Sequence, residues 1–232
     1  MRVIISAGGT GGHIYPALAI INKIKEKEPD SEILYIGTTD RMEKDLIPSL
    51  GYKYEALEVK GLKRKITLEN IKTVTCFITA IKKAKMIIKD FDPDIVIGCG
   101  GYVTAPVIYA AKKLGKKTFI HEQNSVVGLA NKFLARYTDK VGVSFESTIK
   151  DFPKDKAILT GNPCSEKALS IKPTTKEKLG VNKDKKLVLI VMGSLGSRSI
   201  NDKIFSFVDK FRGKNYSVII VTGNSYYDKV KE

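Results

Sequence analysis

The residues best placed to do chemistry stand near the start of the chain: Ser6-Ala7-Gly8-Gly9-Thr10-Gly11-Gly12-His13. Glycines at this density let backbone amides approach a ligand without side-chain interference. The run follows the apolar stretch Val3-Ile4-Ile5 and opens into Ile14 to Glu28, where Ala17, Ile20, Ile21 and Ile24 recur at helical spacing. It therefore reads as strand, glycine turn and helix start. A helix N-terminus offers unpaired N–H groups and partial positive charge, suited to a phosphate or diphosphate. The alternative is that the glycines only make a tight turn. No Gly-Lys-Ser/Thr follows, so this is not a Walker loop, and the spacing is not that of the dinucleotide fingerprint. His13 is one of only two histidines. Just inside a helix N-terminus, the dipole favours a neutral imidazole, able to act as a base.

Further polar turns follow apolar strands. Asp94-Ile95-Val96-Ile97-Gly98 leads to Cys99-Gly100-Gly101-Tyr102-Val103, which opens a helix from Thr104 to Leu114. Lys117-Thr118-Phe119-Ile120 leads to His121-Glu122-Gln123-Asn124, then to a helix over Gly128 to Tyr137. Glu32 to Gly37, Lys53 to Val59, Val141 to Val143 and Ala157 to Thr160 read as further strands. This alternation is that of a doubly wound parallel sheet, whose crevice lies beyond the carboxyl ends of the strands. The first glycine turn, Gly100-Gly101 and His121 to Asn124 are expected to face that one crevice. After Gly161-Asn162-Pro163 the pattern restarts: Leu187 to Val191 as a strand, Gly193-Ser194-Leu195-Gly196-Ser197 as a turn, Ile200 to Phe211 as a helix, Tyr216 to Val221 as a strand.

Composition bounds the partners. The 232 residues carry 40 Lys+Arg against 25 Asp+Glu, a net charge of +15. Nucleic acid, an anionic membrane surface or phosphorylated substrates fit such a balance, as does a lysine-rich solvated surface. Nucleic acid is the weakest, because no aromatic-basic interleaving is found. Cys76, Cys99 and Cys164 have neither metal-ligand spacing nor a disulfide pattern, which suits a reducing cytoplasm. No apolar run reaches membrane-span length, and the start reads as a strand rather than a signal peptide. Ile66 to Lys89 reads as a basic amphipathic helix in which Phe77, Ile78, Ile81 and Met86 alternate with lysines. Such a stripe is either core or a membrane-surface element. The basic stretch Gly61-Leu62-Lys63-Arg64-Lys65 reads either as a solvated linker or as a segment meeting an anionic ligand.

These motifs, taken in order, resemble those of the MurG family, transferases that add N-acetylglucosamine to lipid-linked muramyl-pentapeptide. The matching stretches are Gly8 to His13 with Pro16 to Ala19, Gly37-Thr38 with Asp40 to Glu43, Gly100 to Val103, His121 to Asn124 with Gly128 to Asn131, Gly161-Asn162-Pro163, and Gly193-Ser194. The resemblance implies an α/β fold of GT-B type: a Rossmann-like doubly wound parallel sheet over residues 1–162 that binds the acceptor. Residues 163–232 would begin a second Rossmann-like, donor-binding domain, only partly present. The implied reaction moves N-acetylglucosamine from UDP to the C4 hydroxyl of undecaprenyl-linked muramyl-pentapeptide, with inversion, on the cytoplasmic face of the membrane. A diacylglycerol-directed transferase of the same fold, a nicotinamide oxidoreductase and a membrane-binding fragment lacking the donor half are the rival readings.

Inversion needs a base near the acceptor hydroxyl and stabilisation of the leaving diphosphate. His13 is the first choice for the base, with Glu122 and His121 as competitors. By the resemblance, Thr10, Gly11 and Gly12 hold phosphate or sugar oxygens, Asn124 meets the donor sugar and Ser194 lies near the donor diphosphate. No cofactor is implied, and no Asp-x-Asp pair is read as the kind that holds a metal-bound sugar nucleotide, so helix N-termini would replace the cation. Ser165 stands where the family usually has a basic residue, and Leu195 where it has a glutamine. The family's uracil- and ribose-binding residues lie beyond Glu232, so weak UDP-sugar binding is expected of this stretch alone.

Overall fold

The computed structural model describes residues 1–61, 68–191, 203, 206–222 and 227–228, with 68–72 as backbone only. It divides into two units, Met1–Leu169 and Ser170–Glu232. The first is built on seven strands: β1 (Arg2–Ser6), β2 (Glu32–Thr38), β3 (Lys53–Leu57), β4 (Ile95–Gly98), β5 (Lys117–Glu122), β6 (Lys140–Val143) and β7 (Ala157–Leu159). Their spatial order is β3-β2-β1-β4-β5-β6-β7, and every pairing is parallel. The chain returns across itself between β1 and β4, so the topological switch point lies there.

Helices cover both faces, as buried parallel strands require. Side chains of a strand alternate between faces, and β1 shows the consequence. Val3 and Ile5 join Ile14 and Ile21 of α1 (Gly11–Lys27) and Ile47 of α2 (Glu43–Ser49) in one apolar cluster. Ile4 joins the cluster on the other face, with Ile88 of α3 (Leu68–Phe91), Val107 and Ile108 of α4 (Thr104–Lys113), and Leu134 of α5 (Leu129–Leu134). Ile4, Ile5, Ile14 and Ile21 are fully buried. Each such side chain contributes about 1.5–3 kcal/mol relative to exposure. The helix α6 (Cys164–Ser170) follows β7 and ends the first unit.

In the second unit, β8 (Lys186–Val191) and β9 (Tyr216–Val221) pair in parallel. These are the two strands expected where the pattern restarts. The turn at 193–197 and most of the helix expected over 200–211 lie outside the described residues, although a 3-10 turn occupies Val208–Phe211. Among the described residues no helix is long and apolar enough to cross a membrane. The three cysteines are free.

Two expectations are corrected. His121 and Glu122 belong to β5 rather than to the turn after it, because β6 pairs with them, His121 to Gly142 and Glu122 to Val143. In α3 the apolar residues divide: Ile81 packs against the core, whereas Ile78 and Met86 are exposed.

Candidate functional site

The site gathers at the carboxyl ends of β1, β4 and β5. Gly8 N–H donates to Gly100 O at 3.2 Å, tying the first glycine turn to the second across the switch point. Gly101 carries a φ of +88°, and a Cβ there would fall 2.4 Å from the Gly8 carbonyl oxygen. Only glycine permits both the backbone angle and the approach. Thr104 Oγ1 donates to Gly100 O at 2.8 Å, steadying the second turn at the start of α4. From the end of β5, Gln123 Nε2 donates to Cys99 O at 2.9 Å. The three turns read from sequence as sharing one crevice are thus joined by direct hydrogen bonds.

Thr10 precedes α1 in extended conformation (φ −142°, ψ 156°), and its carbonyl accepts from His13 N–H and Ile14 N–H. The amides of Gly11 and Gly12 find no acceptor among the described residues. Such amides are able to donate to an anion's oxygens, although Gly11 is buried and Gly12 exposed. Gly9 N–H is already engaged, because it is 3.3 Å from both carboxylate oxygens of Glu43. The turn is therefore partly filled by the protein's own anion.

His13 is half-buried, with its ring against Gly100, where a Cβ would come 2.5 Å from Cδ2. Its Nδ1 lies 3.1 Å from Gly8 O. A carbonyl only accepts, so Nδ1 carries the proton and Nε2 of the neutral ring keeps its lone pair. That is the tautomer a base acting through Nε2 needs.

The competing candidates sit differently. Glu122 is 1% exposed. Its Oε1 accepts from Asn124 N–H at 3.0 Å and Asn124 Nδ2 at 2.8 Å, and its Oε2 from Gly128 N–H at 2.9 Å and Asn131 Nδ2 at 3.0 Å. A carboxylate has about four acceptor positions, so four donors occupy them all. Glu122 thereby pins the loop that carries Asn124, rather than presenting a free oxygen. His121 is equally buried, and its Nε2 donates to Gly161 O at 3.0 Å. Burial pushes its imidazole below the ordinary value, against the Gly161 bond and the charge of Glu122. Its Nδ1 is buried without a partner among the described residues. Asn124 is exposed, with its carbonyl oxygen outside the bonds to Glu122. Ser194 lies outside the described residues.

Sequence reading does not single out Glu43 beyond its place in the Asp40 to Glu43 match. The first residue of α2, it is fully buried, and Oε1 accepts from Thr38 N–H at 3.1 Å and Thr38 Oγ1 at 2.6 Å. A Cβ on Gly37 would lie 2.7 Å from its Cγ. Burial above all, with the charge of Glu43 adding, pushes the Tyr35 phenol upward; burial and Glu43 do the same for Tyr54. The available signal is a glutamate just after a strand-end glycine. Burial likewise raises the Cys99 thiol to about 12, so it sits in the site as a neutral spacer.

An all-parallel sheet with glycine turns meeting at its switch point defines a Rossmann-like α/β domain of GT-B type. The chain belongs to glycosyltransferase family 28, whose N-terminal domain matches residues 3–143. It is 48% identical over 233 residues to a Bacillus cereus UDP-N-acetylglucosamine–N-acetylmuramyl-(pentapeptide) pyrophosphoryl-undecaprenol N-acetylglucosamine transferase, covering 100% of this chain and 64% of that protein. A Leuconostoc mesenteroides protein of the same name is 48% identical over 231 residues, covering 99% and 64%. The crystal structure of Acinetobacter baumannii MurG superposes with a TM-score of 0.70 at 25% identity, covering 99% of this chain and 63% of that one. A Neisseria meningitidis UDP-GlcNAc 2-epimerase shares the fold, with a TM-score of 0.63 at 16% identity over 97% of this chain and 67% of its own. The chain thus spans about 64% of the length of the curated relatives it matches.

Proposed function

We propose that this chain supplies the acceptor side of an inverting N-acetylglucosaminyltransferase that uses UDP-N-acetylglucosamine and undecaprenyl-linked muramyl-pentapeptide. The observation that carries the reading is His13, whose Nδ1 is engaged by Gly8 O at 3.1 Å where the β1 and β4 turns meet, leaving Nε2 without a partner in that bond. His13 Nε2 takes the proton of the C4 hydroxyl as that oxygen attacks the anomeric carbon. The amides of Gly11 and Gly12 hold acceptor or diphosphate oxygens, and Asn124, held by Glu122, reaches the donor sugar. Ser194 serves the donor diphosphate. Residues 1–162 are the acceptor domain and 163–232 the opening of the donor domain. No metal takes part in this scheme.

The protein works as a peripheral enzyme on the cytoplasmic face of an anionic membrane. Support comes from α3, where Val74, Ile78, Lys82 and Met86 recur every fourth residue and are all exposed, with Lys83 and Lys89 exposed beside them. An apolar stripe edged with lysine suits a lipid surface.

The test is transfer of labelled N-acetylglucosamine from its UDP ester to a muramyl-pentapeptide lipid, in vesicles containing anionic lipid. The chain is assayed alone and mixed with the C-terminal third of the Bacillus cereus relative. Labelled muramyl lipid is expected in the mixture, with kcat lowered about 100-fold or more by His13→Ala and vesicle binding weakened about tenfold by Ile78→Glu. Label entering diacylglycerol instead, or unchanged turnover in His13→Ala, would refute it.

A further inference from the structure

Glu43 and His13 do not touch, but one peptide group lies between them. The N–H of Gly9 and the C=O of Gly8 belong to the same planar unit and point in opposite directions. The N–H meets the Glu43 carboxylate at 3.3 Å to each oxygen, while the C=O accepts from His13 Nδ1 at 3.1 Å. Among the described residues, each hydrogen-bond partner of the carboxylate is a donor: Gly9 N–H, Thr38 N–H and Thr38 Oγ1.

We propose that Glu43 is a positioning residue that acts on His13 through the Gly8–Gly9 peptide. The carboxylate fixes which way the peptide faces. Reversed, its C=O would meet the buried carboxylate, a repulsive contact, and its N–H would call for the other imidazole tautomer. So oriented, the peptide selects the Nδ1–H tautomer of His13 and leaves Nε2 open. This rests on the transferase reading for its purpose. In that reaction the acceptor O4 forms its bond to the anomeric carbon as the bond to phosphate breaks, the electron pair leaving with UDP. The O4 proton moves to His13 Nε2. The imidazolium formed then donates to a carbonyl whose own N–H is held by an anion, and hydrogen bonds in such a chain strengthen one another. Glu43 neither gains nor loses a proton.

The surrounding glycines are what this bridge requires. A Cβ on Gly8 would lie 2.4 Å from Glu43 Oε1, and one on Gly101 would lie 2.4 Å from the bridging carbonyl oxygen. Gly9 has a φ of +91°. Side chains at 8 or 101 would strike the bridge itself, and one at 9 would strain it.

With two histidines in the chain, imidazole nitrogen NMR resolves both rings, and His121→Gln assigns them. The neutral His13 ring is expected as the Nδ1–H tautomer. In Glu43→Gln the amide oxygen keeps the two Thr38 donors and one of the two 3.3 Å contacts with Gly9 N–H, while the NH2 sets a donor in place of the other and the negative charge that holds the peptide is lost. His13 should then become a mixture with the Nε2–H form, and kcat in the transfer assay should fall about tenfold or more with KM little changed. Thr38→Val weakens the other end of Glu43 and should leave the His13 spectrum as it was. A folded Glu43→Gln with an unchanged His13 spectrum overturns the proposal. So does a wild-type His13 found mainly as the Nε2–H tautomer, which needs no variant to fold. Loss of transfer in His13→Ala beside an unchanged Glu43→Gln spectrum removes the bridge and keeps the base. A shifted tautomer with full activity in His13→Ala keeps the bridge and removes the base.

Discussion

Replacing Gly101 with alanine tests whether the two glycine turns are held by backbone contact. The added Cβ would lie 2.4 Å from the Gly8 carbonyl oxygen, with Gly8 C and N both at 3.1 Å. These are backbone atoms, so no side chain can swing aside. The residue would also need a φ of +88°, which costs an L-residue about 1–2 kcal/mol. Relief requires the turns to part, which lengthens the 3.2 Å bond from Gly8 N–H to Gly100 O and leaves a donor short of its acceptor, at about 1–3 kcal/mol. The sum is about 2–5 kcal/mol, a large share of the roughly 5–15 kcal/mol that holds a domain. Gly115→Ala is the control. Gly115 also has positive φ, +71°, but nothing lies within 4 Å of where its Cβ would stand, so only the backbone cost of about 1 kcal/mol remains. Amide exchange of Ile4 and Ile97 reports opening of the first unit, and the free energies of the two variants are compared there. Equal losses in the two variants would mean that the turns separate at no cost, and the case for a built site at the switch point would fail.

Two further expectations follow from the β5 end. Glu122→Gln leaves one acceptor oxygen for four donors, and should cost about 2–4 kcal/mol with faster exchange at the Asn124 and Gly128 amides; unchanged exchange there would refute the clamp. His121 titrates below its ordinary value in the folded chain because it is buried, so the unfolded chain takes up its proton first as pH falls. Its contribution is fully present above about pH 6.5 and declines below that, by at most about 1.4 kcal/mol per pH unit, until the folded imidazole is itself protonated. Urea midpoints between pH 7.5 and 5.5 should show this slope in the wild type and a smaller one in His121→Gln; equal slopes would refute it.

The sheet was legible because buried parallel strands write themselves as continuous apolar runs, and Val3 to Ile5 and Ile95 to Ile97 are such runs. Their gathering at one crevice followed from topology, since turns after parallel strands share one edge of the sheet. Strand ends were less legible. His121 and Glu122 are polar and read as turn, but β6 supplies partners and Glu122 has four donors to meet its charge. The outward face of α3 was also hidden: Phe77, Ile78 and Ile81 fit one apolar stripe in sequence, and only packing shows that Ile81 turns to the core while Ile78 does not.

The glycine turn shows why motif reading stops where it does. Close ligand approach and close self-packing demand the same thing of a residue, the absence of a Cβ, so a run of glycines does not distinguish them. Here the two uses are interleaved. Gly8 has Glu43 against its Cβ position, whereas the nearest atom to that of Gly12 is Thr10 Oγ1 at 3.7 Å. Gly8 and Gly9 thus belong to the protein's own hydrogen bonds, whereas the amides of Gly11 and Gly12 find no acceptor among the described residues. The division depends on a glutamate thirty-four residues further on, brought under the turn because β2 lies beside β1 and α2 begins just beyond the end of β2. A buried carboxylate beneath a glycine turn sets its own condition on the ligand. Any anion at the Gly8–Gly9 end would be repelled by the Glu43 carboxylate, which already accepts from Gly9 N–H.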